Sequence, residues 1–174
     1  MVDHSSLIID DRSSGNLSAN NGQCWRAISD TVMGGVSTAK LEPAVVAGRS
    51  CLRLTGLVGL ENNGGFSQAS LDVSNSEFLD AVGYDGIQID IYGNGQAYNI
   101  HLRTGDTSHV WQSYRTSFLA RPHWTILRLP FENFRPHRID KPLDLRKLRR
   151  IGLVSIGAEA KVEVSISRLS LYIL

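Results

Sequence analysis

Apolar and polar residues alternate along much of this chain, and the alternation predicts strands. Ile87, Ile89 and Ile91 point one way and Gln88, Asp90 and Tyr92 the other, the two-residue period of a half-buried strand over Tyr84 to Tyr92. Gln96 to Thr104 repeats the pattern, with Tyr98, Ile100 and Leu102 opposite Asn99, His101 and Arg103. From Val110 to Phe118, Tyr114, Thr116 and Phe118 oppose Trp111, Ser113 and Arg115; Leu127, Leu129 and Phe131 share a face. Near the C-terminus, Val162, Val164 and Ile166 are out of phase with Leu169, Leu171 and Ile173, so a β-bulge near Ser167–Arg168 is needed to return both sets to the core.

Shorter runs complete the set: Leu7 to Ile9, Val36 to Leu41, Cys51 to Leu57 and Phe66 to Val73, with Pro43 and Gly48 as punctuation. Asp11 to Gln23 is rich in Ser, Asn and Gly and reads as a loop. Gly93-Asn94-Gly95 is predicted to be a tight hairpin turn. Helical signal is confined to a short turn capped by Asp144, running through Leu145 and Leu148 and ended by Gly152. Many short strands with glycine-rich turns imply an all-β fold, an antiparallel β-sandwich or jelly roll. Residues 1–174 are expected to form one domain, with a flexible N-terminus over residues 1–6.

Two glycine pairs interrupt the strands. One lies in Asp30-Thr-Val-Met-Gly34-Gly35-Val-Ser37, the other in Asn63-Gly64-Gly65-Phe66. Glycine takes φ > 0 without steric cost and lets other groups approach closely. Asp30, Gly34, Gly35 and Ser37 are therefore candidates for a partner-binding loop, or for a turn in which Asp30 accepts backbone N–H bonds. Asn63, Gly64 and Gly65 admit ligand contact or a close chain crossing, the latter with Phe66 entering the core. Gly34-Gly35 lacks the third glycine and following helix of a dinucleotide fingerprint.

If neighbouring segments pair, Gln88, Asp90 and Tyr92 lie beside Asn99, His101 and Arg103, and then Trp111, Ser113 and Arg115. Such a face, mixing aromatics with carboxylate and guanidinium groups, suits protein interfaces or sugars. It equally describes a solvated face with Arg103 and Asp90 in a cross-strand ion pair.

Composition narrows the classes. A hydrophobic fraction of 42% and a net charge of +1 over 174 residues fit a globular domain and give no whole-molecule attraction to nucleic acid. Cations do cluster between Arg135 and Arg150, where only Asp140 and Asp144 oppose them. That segment can dock an acidic partner or anionic lipid, or be a solvated loop and helix turn; thin aromatic interleaving makes nucleic acid a poor fit. Cys24 and Cys51 are read as buried reduced thiols, though one bridge between them is open. No signal peptide, transit peptide or apolar span is recognisable, so a cytoplasmic location is expected. The five histidines show no zinc spacing, no nucleophile elbow is present, and Asp85 and Asp90 fall on opposite strand faces. No catalytic residue, metal or cofactor is therefore expected; loop-held calcium suits jelly rolls, yet no Asp-rich run supports it.

Four groups of residues carry a family resemblance. They are Trp25 with Ser29-Asp30-Thr-Val-Met-Gly-Gly-Val-Ser37, then Asn63-Gly64-Gly65-Phe66, then Tyr98, Leu102 and Arg103 leading to Tyr114. The last is Trp124-Thr-Ile-Leu-Arg-Leu-Pro130-Phe131 with Phe134 and Ile151-Gly152. In these the chain resembles the complex I intermediate-associated protein 30 family from about Leu7 to Leu174. The resemblance implies a galactose-binding-like jelly roll and an assembly chaperone that binds a protein client without catalysis. A carbohydrate-binding module using Trp111, Tyr92, Arg103 and Asp90 is the alternative.

Overall fold

Two antiparallel six-stranded sheets stack on each other in a computed structural model that describes residues 6–174. The first sheet runs β3 (Lys40–Val46), β4 (Arg49–Val58), β12 (Ala160–Tyr172), β6 (Gly86–Tyr92) and β9 (Thr125–Pro130), with β1 (Ser6–Asp10) paired to the end of β12. The second runs β10 (Arg135–His137), β8 (Ser113–Leu119), β7 (Ala97–Thr104), β11 (Leu148–Ile156), β5 (Phe66–Asp72) and β2 (Arg26–Ser29). Ser6 is paired in β1, against the expected flexibility; the rest of that expectation falls on residues 1–5, outside the described residues.

The inner faces are the apolar sets of the strands. Ile87, Ile89 and Ile91 meet Tyr98, Ile100 and Leu102 across the sandwich in one buried cluster, joined by Tyr114, Ile151, Leu153, Val162 and Val164. The phase change in β12 is resolved by the expected bulge: its register against β6 shifts between Ile166 and Arg168, and Ile166, Leu169 and Leu171 face the core, while Ile173, expected with them, lies beyond the strand and is exposed. At one corner Asp10 is buried with Arg12 (Arg12 Nη2 to Asp10 Oδ2, 2.8 Å) and accepts a 2.7 Å hydrogen bond from the Trp25 indole. This buried pair is balanced by further donors and acceptors, since Arg12 also donates to the Asn16 and Ser18 carbonyls.

Four expectations are corrected. Gly93-Asn94-Gly95 does not close a hairpin, because β6 belongs to one sheet and β7 to the other; the segment crosses between layers, and Asn94 Nδ2 donates to the Lys161 carbonyl. The strand expected over Val36 to Leu41 begins only at Lys40 and continues through Pro43. Pro43 is tolerated there because β3 is an edge strand and needs no second ladder. Asp144 does cap a turn, accepting from the Arg146 amide, but the turn spans only Leu145–Lys147 and Gly152 sits inside β11. Both cysteines are free; Cys51 is buried, while Cys24 is exposed.

Candidate binding cleft

The outer face of the second sheet is hollowed into a cleft of about 410 Å³. Register explains the hollow. One row crosses five strands as Arg115, His101, Gly152, Ser70 and Arg26, so the two smallest residues, Gly152 and Ser70, lie side by side between His101 and Arg26. A neighbouring row places Arg103 beside Arg150. Larger residues wall this floor: Phe66 and Val154 from the sheet, Val32 and Met33 from the turn after β2, and Val110 and Trp111 from the loop before β8. Phe66, expected in the core, thus lies on the outer face of β5, since Ala69 and Leu71 set the inward phase of that strand.

The floor is cationic and incompletely paired. Arg103, Arg115, Arg150, His101 and His137 line the cleft, and no carboxylate among the described residues does. Arg150 Nε donates to Asp72 at 2.7 Å, beside the cleft. Arg103 Nη2 donates to the carbonyls of Thr107 (3.0 Å) and His109 (3.1 Å), which ties down the loop carrying Trp111. Arg115 Nε donates to Ser113 Oγ at 2.7 Å. Buried Nε2 of His101, Nε of Arg103 and Oγ of Ser70 have no hydrogen-bond partner. Burial, then the charges of Arg115 and His137, push His101 down to about 3, so it is neutral at physiological pH. Burial and neighbouring cations likewise lower Arg103, Arg115 and His137. The rim is apolar and open: Val110 is 73% exposed, Val32 73% and Trp111 50%. His109 stacks flat on Trp111 with centroids 4.6 Å apart, which stiffens the indole.

The glycine-paired loops do not present Asp30 to a partner. Asp30 and Ser37 are fully buried. The Asp30 carboxylate accepts from the Ser37 amide (2.9 Å), the Ser37 hydroxyl and the amides of Gly65 and Phe66 (3.2 Å). Burial acts to raise its pKa, but these donors, the Ser37 hydroxyl foremost, outweigh it and the net shift is downward. The glycines make room: a Cβ on Gly35 would stand 2.2 Å from Asp30 Oδ1, and one on Gly64 2.6 Å from Oδ2. Gly34, at φ +83°, ends the Asp30–Met33 turn in the left-handed region. Asn63 closes the second turn, Glu61–Asn63. Asp30 therefore clasps two loops, and what the first one offers outward is Val32 and Met33.

The composite face expected from the sequence is divided. His101, Arg103, Trp111 and Arg115 gather at the cleft. Asp90 and Tyr92 lie on the far side of the molecule, on the outer face of the first sheet, so Arg103 and Asp90 form no ion pair. There Asp90 pairs with Arg49 at 3.6 Å, and Arg49 stands 4.9 Å over the Trp124 ring, which Tyr92 meets edge-on at 5.6 Å. Burial raises the Asp90 pKa, offset in part by Arg49 and Arg168. Gln68, Ser70 and Gly152 join the cleft without having been singled out as binding residues, and Arg150 and His137 come to it from the basic segment expected to dock an acidic partner. Their strand phase and register, once known, would have found them.

Among the described residues no cluster of three or more His, Cys, Asp or Glu gathers to hold a metal ion, and no helix is long and apolar enough to cross a membrane. The sequence profile of the complex I intermediate-associated protein 30 (CIA30) family matches residues 14–166. The chain belongs to that family. No curated protein sequence matches it significantly. In shape it is similar to the family 11 carbohydrate-binding module from Clostridium thermocellum in complex with a β-1,3-1,4-mixed-linked tetrasaccharide. That likeness has 14% identity and a TM-score of 0.75 and covers 99% of this chain and 98% of the other. It is also similar to the family 30 module of a cellulosomal cellulase of Clostridium thermocellum, at 16% identity and a TM-score of 0.63, covering 97% of each chain. At such identities the likeness establishes the jelly-roll fold of this CIA30 chain and no more.

Proposed function

We infer that this CIA30 chain is a non-catalytic binding module that shields a surface of a protein client during assembly, as the family's association with complex I intermediates suggests. The observation that carries the reading is the cleft of the second sheet, whose exposed rim of Val32, Met33, Val110 and Trp111 surrounds a polar floor. An apolar rim with an aromatic anchor and arginines is the composition of protein-recognition sites. No paired carboxylates or nucleophile–base pair line the cleft. Photo-cross-linking in native extract, with a photoreactive residue placed in the loop of Ser108 to Gln112, followed by mass spectrometry tests it. Client binding predicts reproducible cross-links from that loop to one protein or one assembly intermediate; repeated samples with no cross-linked protein above control would defeat it.

The carbohydrate reading draws on the shape shared with carbohydrate-binding modules and on Trp111 at the cleft. Against it, the floor is dominated by arginines, a charge that neutral sugar hydroxyls do not call for. The second aromatic expected for ring stacking, Tyr92, packs on Trp124 on the other side of the molecule. Silence on a glycan array, with an unchanged melting temperature in neutral oligosaccharides, would remove this reading.

A further inference from the structure

The chemistry of the cleft specifies more about its occupant than that it is a protein. Its floor presents Arg115 and Arg150 with Arg103 behind them, and Asp72 lies beside the lining and engages Arg150. Arg115 uses one nitrogen internally, on Ser113, which leaves the outer edge of its guanidinium without a protein partner. Ser70 is 1% exposed, lines the cleft and has a hydroxyl with no partner. These are donors awaiting an acceptor. The rim supplies the opposite: aliphatic side chains from two loops and one immobilised indole. An occupant that matches both carries negative charge close to apolar side chains.

We propose that the cleft receives an extended acidic segment of the client polypeptide, with a carboxylate seated on Arg115 and adjacent apolar side chains on Trp111, Val110 and Met33. The proposal rests on the client-binding reading and adds the chemistry of the bound segment. Alternation makes the fit: in an extended chain successive side chains point to opposite sides, so acidic residues reach the floor while their neighbours meet the rim. Arginine favours this role because its planar fork accepts a carboxylate bidentately. Crowding of Arg103, Arg115 and Arg150 about the single charge of Asp72 is unfavourable for the free protein, and an incoming carboxylate relieves it.

The test is a calorimetric and NMR titration of the full chain with an acetylated, amidated hexapeptide alternating glutamate and leucine, alongside its glutamine–leucine counterpart. The expected result is at least about tenfold tighter binding of the glutamate peptide. Rising salt should erode that preference, and the Trp111 indole N–H resonance should shift. Arg115→Gln should abolish the preference, and Trp111→Ala should weaken both peptides alike, each at an unchanged melting temperature. The salt titration needs no variant, so the outcome does not depend on either one folding. Equal affinity for the two peptides, no binding of either, or a preference that Arg115→Gln leaves intact would overturn the proposal. So would tighter binding of oligogalacturonate, which offers carboxylates on sugar rings, or equal competition by inorganic phosphate. Failure of the peptides while the Trp111 loop still cross-links a client would sink the acidic-segment chemistry and leave client binding standing.

Discussion

The two outer faces of this sandwich are built from similar residues and behave differently. On the first sheet Arg49 meets Asp90 and Trp124, Arg53 meets Glu163 at 2.6 Å, and Arg128 donates to Gln88 and stands 5.0 Å over Tyr172. Each of these cations is answered within the face. On the second sheet Arg103, Arg115 and His137 crowd together around small residues, and no carboxylate enters the hollow. The lesson is that the count of aromatic and charged residues does not mark a binding face. Asp90 Oδ1 and Arg168 Nε on the first face are also buried without a partner, so what separates the faces is the carboxylates that stand among the cations of the first and not among those of the second.

The largest effect should come from breaking the clasp that supports one wall of the cleft. Asp30→Asn keeps the volume but turns a carboxylate accepting four hydrogen bonds into an amide facing donors. We expect a loss of at least about 3 kcal/mol in urea unfolding, with Val32 and Met33 displaced. Gly35→Ala, which forces a Cβ against Asp30, should act in the same direction.

Next comes acid. The neutral His101 imidazole has a folded pKa of about 3 against 6.5 when unfolded, so the unfolded chain binds the extra proton between those values. Stability is thus complete above pH 6.5 and falls by about 1.4 kcal/mol per pH unit on the way down toward pH 3. The lowered Asp30 pKa adds a further loss at the bottom of that range, since its stabilisation also disappears as the carboxylate protonates. Thermal melts of wild type and His101→Gln from pH 7 to pH 4 check this; the variant should lose the slope. A parallel decline in the two would assign the acid sensitivity elsewhere.

A smaller effect separates the faces directly. Arg115→Gln should weaken client capture about tenfold, while Arg49→Gln on the opposite face should change it less than about twofold. Smallest of all, Arg53→Gln removes a half-exposed ion pair and should shift unfolding by no more than about 0.5 kcal/mol.

Much of the fold was legible because period-two alternation writes inward and outward positions directly: the isoleucines of β6 and the out-of-phase halves of β12 needed no structure. Pairing partners were not legible. Gly93-Asn94-Gly95 has the composition of a hairpin turn, and nothing local tells that the chain there passes to the other layer. That single error joined Asp90 and Tyr92 to Arg103 and Trp111, which the sandwich keeps on opposite sides. The cleft itself depends on register, since Gly152 and Ser70 become a hollow only when β11 and β5 align them between His101 and Arg26. The role of Asp30 was half visible: the glycines announced a special loop, but the amides of Gly65 and Phe66 come from more than thirty residues away.

Site-specific photo-cross-linking in native extract tests the assignment of the cleft most directly. Val110 on the cleft rim is 73% exposed and Ile126, beside Asp90 on the other sheet, is 61% exposed, so a photoreactive residue at either position is comparably accessible. A discrete protein adduct from position 110, lost in Arg115→Gln, and none from position 126 is the predicted result. An adduct from position 126 alone, or one from position 110 that Arg115→Gln leaves undiminished, would contradict it.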